Sequence, residues 1–106
     1  MKRLTKEYHD YIASERWKLK REIYFAARGR FCKACRSTMN IKIHHMSYDN
    51  FGNEPLGDLI SLCNPCHVKV HQLHRKAGRG GNLRLITMQY IRDMTLARLR
   101  RKTPRR

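Results

Sequence analysis

A small α+β domain is expected from this sequence, on three grounds. Two C-x-x-C pairs, Cys32/Cys35 and Cys63/Cys66, bracket the middle of the chain. Between them lie two short apolar runs suited to strands, and helical patterns occupy both flanks. A chain of 106 residues buries only a modest core, so a structural metal is a natural supplement. Four thiolates at this spacing describe a closed tetrahedral zinc site, with no ligand position left over for a substrate.

The elements follow in order. Thr5 to Ala13 reads as a short first helix. Ser14 then suits the N-cap of a second helix running to Arg28, with Glu15 in its first turn and Gly29 at the position after its end. Trp17, Ile23 or Tyr24, and Ala27 would form its buried stripe. Phe31 to Arg36 reads as a tight turn presenting the first pair of thiolates. Ile41-Lys42-Ile43-His44-His45-Met46 begins with period-two alternation and β-branched residues, the pattern of a strand. Residues 47–57 carry Asn50, Gly52, Asn53, Pro55 and Gly57, the composition of an ordered loop. Leu59 to Leu62 is a second short strand ending at Cys63-Asn64-Pro65-Cys66, where Pro65 opens a helix. On that helix His67, His71 and His74 stand at i, i+4 and i+7, on one face. Gly78, Gly80 and Gly81 break it. A last amphipathic helix is expected from about Thr87 to Lys102, with Tyr90, Ile91, Met94 and Ala97 apolar and Pro104 beyond its end. This organisation divides the chain into a domain over 1–81 with a helical lead-in and a basic helical extension over 82–106.

Net charge is +16, from 24 Lys and Arg against 8 Asp and Glu. Its distribution is uneven: residues 31–74 carry four basic and three acidic side chains, whereas residues 75–106 carry eleven and one. Basic flanks around a nearly neutral centre attract a polyanion. Nucleic acid fits better than a membrane surface, because neither flank has a Trp/Phe/Leu-rich insertion face. Residues Met1 to Lys6 hold no apolar signal segment, and no apolar run approaches the length of a membrane span. A reducing cytoplasmic setting is therefore expected, where paired cysteines are metal ligands more often than disulfides.

The histidines imply a second site, open to chemistry, beside the four-cysteine one. His44-His45 ends the first strand, Asp58-Leu59-Ile60-Ser61-Leu62-Cys63 forms the second, and Cys66-His67-Val68-Lys69-Val70-His71 opens the helix. In these three segments, and in Ser14 to Trp17, Gly29 to Cys32 and Tyr48 to Glu54, the chain resembles the zinc-containing branch of the HNH endonuclease family. The resemblance covers about residues 8–71. It implies a ββα-metal fold and a nuclease using a catalytic divalent ion (Mg²⁺, Mn²⁺, Ni²⁺ or Zn²⁺) beside the structural zinc on Cys32, Cys35, Cys63 and Cys66. It also implies that His44 and His67 ligate the catalytic metal, that His71 is a third ligand or a phosphate contact, and that His45 is the general base. Small stand-alone members are common in phages and mobile elements, and some assist DNA packaging. Where the family name implies Asn, this chain has Asp58. The resemblance places it in the catalytic set beside His45, bracing the loop between the strands so that the base stays oriented. A carboxylate can accept backbone N–H bonds there but cannot donate as an amide does.

Elementary chemistry agrees with this division of labour. Neighbouring strand residues point to opposite faces, so His44 and His45 cannot share one task. Phosphodiester hydrolysis needs an activated water, charge stabilisation at phosphorus and help for the departing oxygen. A neutral imidazole can accept the water's proton at neutral pH. The expected activity is hydrolysis of DNA by nicking or double-strand cleavage, leaving 5′-phosphate and 3′-hydroxyl ends by resemblance. Arg75, Lys76, Arg79, Arg84, Arg98, Arg100 and Arg101 are the expected phosphate contacts. The expected partner is DNA, with RNA open, no membrane, and the chain a monomer or weak homodimer, with a phage packaging protein or another protein as a further partner. Two readings stay beside this one: a non-catalytic zinc module binding nucleic acid, and an RNA-directed nuclease. His74 stays open as a substitute for His71, His9 reads as a surface histidine, and Tyr48 and Glu54 read as loop-ordering.

Overall fold

The computed structural model describes residues 6–102; the expected helix start at Thr5 and the tail around Pro104 lie outside the described residues. Helix α1 (Lys6–Ile12) leads into α2 (Glu15–Arg28), then strand β1 (Ile41–His45), strand β2 (Leu59–Cys63), helix α3 (Asn64–Ala77) and helix α4 (Leu83–Lys102). Short 3₁₀ turns occupy Leu56–Asp58 and Gly78–Gly80. Among the described residues no helix is long and apolar enough to cross a membrane.

Local chemistry explains the boundaries. The Ser14 hydroxyl accepts a hydrogen bond from the Trp17 N–H at 3.1 Å, capping α2 as its sequence position suggests. Gly29 ends the helix at φ 88°, and a Cβ there would stand 2.7 Å from the Phe31 ring, so both backbone angle and space demand glycine. Two differences from expectation have simple causes. The buried side of α2 is Trp17, Tyr24 and Phe25, while Ile23 is 45% exposed and Ala27 faces solvent, because the aromatic rings fill the space beneath the sheet. Helix α4 begins a turn earlier than Thr87, where the Asn82 side-chain oxygen accepts from the Leu85 N–H at 3.0 Å.

The strands pair antiparallel, with Ile43 opposite Ser61, His44 opposite Ile60 and His45 opposite Leu59. Strand alternation sorts these side chains into two layers. Ile43 and Leu59 join Tyr11, Trp17, Tyr24 and Phe25 in a core under α1 and α2. Leu62 joins Val70, Ala34 and the cysteines in a second core, against which Leu83, Tyr90, Ile91 and Met94 of α4 pack. Three of the apolar residues expected on the last helix thus lie on the same core as the cysteines, and α4 is packed against the rest of the domain across the Gly81 boundary.

The four cysteines come from three places: the turn after Phe31, the end of β2 and the first turn of α3. Their sulfur atoms all lie within 4.8 Å of one another, and the Cys35 and Cys63 sulfurs are 3.5 Å apart. Zinc–sulfur bonds of about 2.3 Å set tetrahedral edges of about 3.8 Å, so the cluster is close enough to bind a structural metal such as zinc. Arg36 takes φ 73° and its N–H bonds the Cys32 carbonyl at 2.9 Å, closing the first turn so that both thiols face inward. Burial alone would push the Cys32 thiol up, but backbone N–H donors of Cys35, Cys63 and Ala34 outweigh it and bring the pKa down to about 7. Burial raises Cys63 and Cys66. The Tyr90 hydroxyl, donating to the Cys66 sulfur at 3.1 Å, favours the thiolate there.

Cys63→Ser should therefore lose the metal and much of the fold, since a structural metal contributes folding free energy directly. Cobalt substitution checks this: the wild type should give thiolate-to-cobalt absorption, and the variant should lose it and melt far lower. Truncation after Gly81 should likewise abolish a cooperative thermal transition, because it strips Leu83, Tyr90, Ile91 and Met94 from the second core. A truncated chain that melts like the full one would show that α4 is dispensable for folding.

Candidate functional site

The register of β1 turns His44 and His45 to opposite faces, and each meets a different set of partners. His44 points toward α3 and α4 and is 1% exposed. Its ring centroid lies 5.1 Å from those of both His67 and His71, which stand one turn apart on α3. One nitrogen from each of the three rings falls within 4.8 Å of the others, and the His67 and His71 Nε2 atoms are 3.1 Å apart.

The His44 tautomer follows from its neighbour. The Thr87 hydroxyl donates to the Leu83 carbonyl at 2.7 Å, so toward His44 it accepts, and the His44 Nε2–H donates to it across 3.0 Å. That leaves the lone pair on His44 Nδ1, which is buried with no hydrogen-bond partner. A buried unsatisfied nitrogen is costly and calls for an explanation. A metal ion supplies one, because ligating nitrogens at about 2.1 Å from a centre lie about 3–3.4 Å from each other. Burial, then repulsion from His67 and His71, pushes the His44 pKa down to about 2. Burial, then His71 and Lys42, brings His67 to about 4. Both rings are thus held neutral, the form that ligates. His74 stands outside this cluster, near Gly81 at the end of α3, so the fold brings His71 and not His74 to His44.

His45 sits on the other face, under α1 and α2. Its Nε2–H donates to Glu54 Oε2 at 2.6 Å, and the Tyr11 hydroxyl donates to Glu54 Oε1 at 2.6 Å. Glu54 is 1% exposed. Burial alone would raise its pKa, but the bonds from Tyr11 and His45 outweigh that and hold it below the usual carboxylate range. The Lys20 ammonium donates to the Glu54 carbonyl at 2.7 Å and pins the loop to α2. The His45 ring also stacks on Trp17, at 5.0 Å between centroids, and on Tyr48, at 5.1 Å. With Nε2–H committed to Glu54, the free lone pair of the neutral ring is on Nδ1.

Both histidine systems open on one groove of about 560 Å³, whose lining includes Trp17, Lys42, His45, Tyr48, His67 and His71. Asp58 is not on that lining. It is buried behind the loop, where the Asn50 amide donates to it at 3.3 Å and Arg84 donates to it at 2.7 Å. Its backbone carbonyl takes the Met46 N–H at 2.8 Å, continuing the strand ladder past His45. Asp58 therefore braces the 47–57 loop. Of the expected phosphate contacts, Arg84 is engaged with Asp58 and the Gly57 carbonyl, and Arg98 donates to the Ala34 carbonyl at 2.9 Å. Arg75, Lys76, Arg79, Arg100 and Arg101 are exposed, and His9 is exposed on α1.

Two site residues carried no clear sequence signal. Glu54 read as a loop residue, yet it is the carboxylate that orients His45. Thr87 lies 43 residues from His44 in the chain, and only the packing of α4 brings it there. Compared with protein-family models, curated proteins and solved structures, the chain matches none.

Thr87→Val, which keeps shape and removes the acceptor, should weaken divalent-metal binding at the histidine cluster by roughly 10–100-fold. It should also cost about 1–3 kcal/mol of stability through the stranded His44 N–H. Metal titration read by His ring NMR shifts measures the first effect, and denaturant unfolding the second.

Proposed function

We propose that this chain is a metal-dependent endonuclease of the HNH type, hydrolysing phosphodiester bonds of DNA. The observation that carries the reading is the pair on β1. His44 joins two helix histidines on one face with its ligating nitrogen orphaned, His45 is held by a buried carboxylate on the other, and both systems border one groove. The strongly basic composition supports a polyanionic substrate.

In this reading His44, His67 and His71 would hold a divalent ion, which would supply positive charge toward the phosphate and the departing 3′ oxygen. His45 Nδ1 takes the proton of the attacking water as general base. Glu54 takes no proton; it sets which ring nitrogen carries hydrogen and keeps the ring from rotating, while the Tyr11 hydroxyl, donating to its other oxygen, fixes the carboxylate in place. Trp17 and Tyr48 confine the imidazole plane by stacking. Asp58 holds the loop that carries Tyr48 and Glu54. The four-cysteine site takes no part in the reaction and sets the position of α3.

Purified protein incubated with supercoiled plasmid and Mg²⁺, Mn²⁺ or Ni²⁺ should nick it. His45→Ala should keep the fold, the metals and DNA affinity while losing roughly 10²–10⁴-fold in cutting rate. Wild-type cutting by that variant, or no cutting by the wild type with any of these ions, would overturn the reading.

A further inference from the structure

The groove carries charge of its own, apart from the basic extension. Lys18 and Arg21 of α2 and Lys42 of β1 all line it, together with His45, His67 and His71. Lys18 and Arg21 are one turn apart, and so project from the same side of α2. Lys42 lies two residues before His44 and shares its face of the strand. Ile41, Lys42 and Ile43 line the groove in succession although alternate residues face opposite ways. The groove therefore runs along the edge of β1 that β2 does not pair.

Among the described residues no carboxylate lines this groove. Arg21 and Lys42 take part in no ion pair among the described residues, and Lys18 meets only Glu15, at 3.3 Å between two exposed side chains. A cleft lined by one sign of charge focuses its field on a ligand of the other sign. Two arginines of α4 differ: Arg84 and Arg98 are engaged with protein acceptors.

We infer that Lys18, Arg21 and Lys42 form the wall of the groove that grips the backbone phosphates of duplex DNA flanking the histidine site. The inference rests on the nuclease reading for the ligand's identity, and it assigns the grip to the α2–β1 side of the molecule. Lys42, on the same face as His44, contacts the phosphate nearest the three histidines; Arg21 and Lys18 follow the strand along α2.

The test is binding of a short DNA duplex, measured by fluorescence anisotropy across a salt series without added divalent ion. Arg21→Gln with Lys42→Gln is compared with a control that removes the same charge elsewhere, Lys69→Gln with Arg92→Gln. Each phosphate that the protein no longer neutralises makes the slope of log K on log salt shallower by roughly 0.9, so the groove pair should lose about 1.8 and the control pair nothing. Thermal melts of both should match the wild type, because all four side chains lie on the surface or at the groove. Lys42→Glu alone provides a second readout, a steeper loss of affinity. Equal slopes for the two pairs, an unchanged slope for the groove pair, or no binding by the wild type would each overturn the inference. Groove-dependent binding by a protein that cuts no DNA with any divalent ion would sustain the grip and sink the nuclease reading. Cutting by a protein whose binding ignores the groove pair would do the reverse.

Discussion

The register of one two-stranded ladder sets the geometry on which both histidine systems depend. With His44 opposite Ile60 and His45 opposite Leu59, the first ring faces α3 and the second faces α2. A slip by one residue would exchange the two faces and carry the apolar partners with them. A slip of β1 would take Ile43 out of the aromatic core, and a slip of β2 would take Leu59 from that core and Leu62 from the cysteine core. Packing on both faces therefore specifies the register, and the register specifies the division between the two histidines. A two-stranded sheet alone is marginal in water, so it persists only because helices cover both sides.

The cysteine cluster extends that constraint to the helix. Cys63 is the last residue of β2 and Cys66 lies in the first turn of α3, so a metal joining them to Cys32 and Cys35 would fix where α3 begins and which way it turns. His67 follows Cys66 directly, and His71 follows one turn later. Their approach to His44 thus follows from how the start of α3 packs on the cysteine core, with Val70 buried beneath the helix. Two clusters able to hold a metal thus share one short segment while offering different donor atoms: soft sulfur in an enclosed cluster, imidazole nitrogen beside a groove.

Several buried polar groups arrange the site without lining it. Glu54, Asp58 and Thr87 all lie inside, and each spends its hydrogen bonds on a neighbour that positions a histidine or its loop. A satisfied buried network is rigid, because moving any member strands another in a low-dielectric interior. The unpartnered Nδ1 of His44 stands out against this background of satisfied groups. It marks the one place among the described residues where a buried side-chain acceptor is left for something else.

The elements and the four-cysteine cluster were legible from the chain alone. Spacing of Cys32, Cys35, Cys63 and Cys66 announced a metal cluster, Ser14 and Gly29 bounded α2, and alternation through Ile41 to His45 marked a strand, because caps, ligand spacing and strand period are local properties of the chain. Helix spacing put His67, His71 and His74 on one face of α3, and only the resemblance singled out His44, His67 and His71. Whatever depends on distant segments meeting was settled by packing: that Phe25 and not Ala27 is buried, that His71 and not His74 reaches His44, that Glu54 holds His45, and that Thr87 of α4 selects the His44 tautomer. Packing also tied Arg84 and Arg98 to the protein while leaving Lys18, Arg21 and Lys42 along the groove. Composition counts charges but cannot place them, since a side chain's partner is set by whichever element packs beside it.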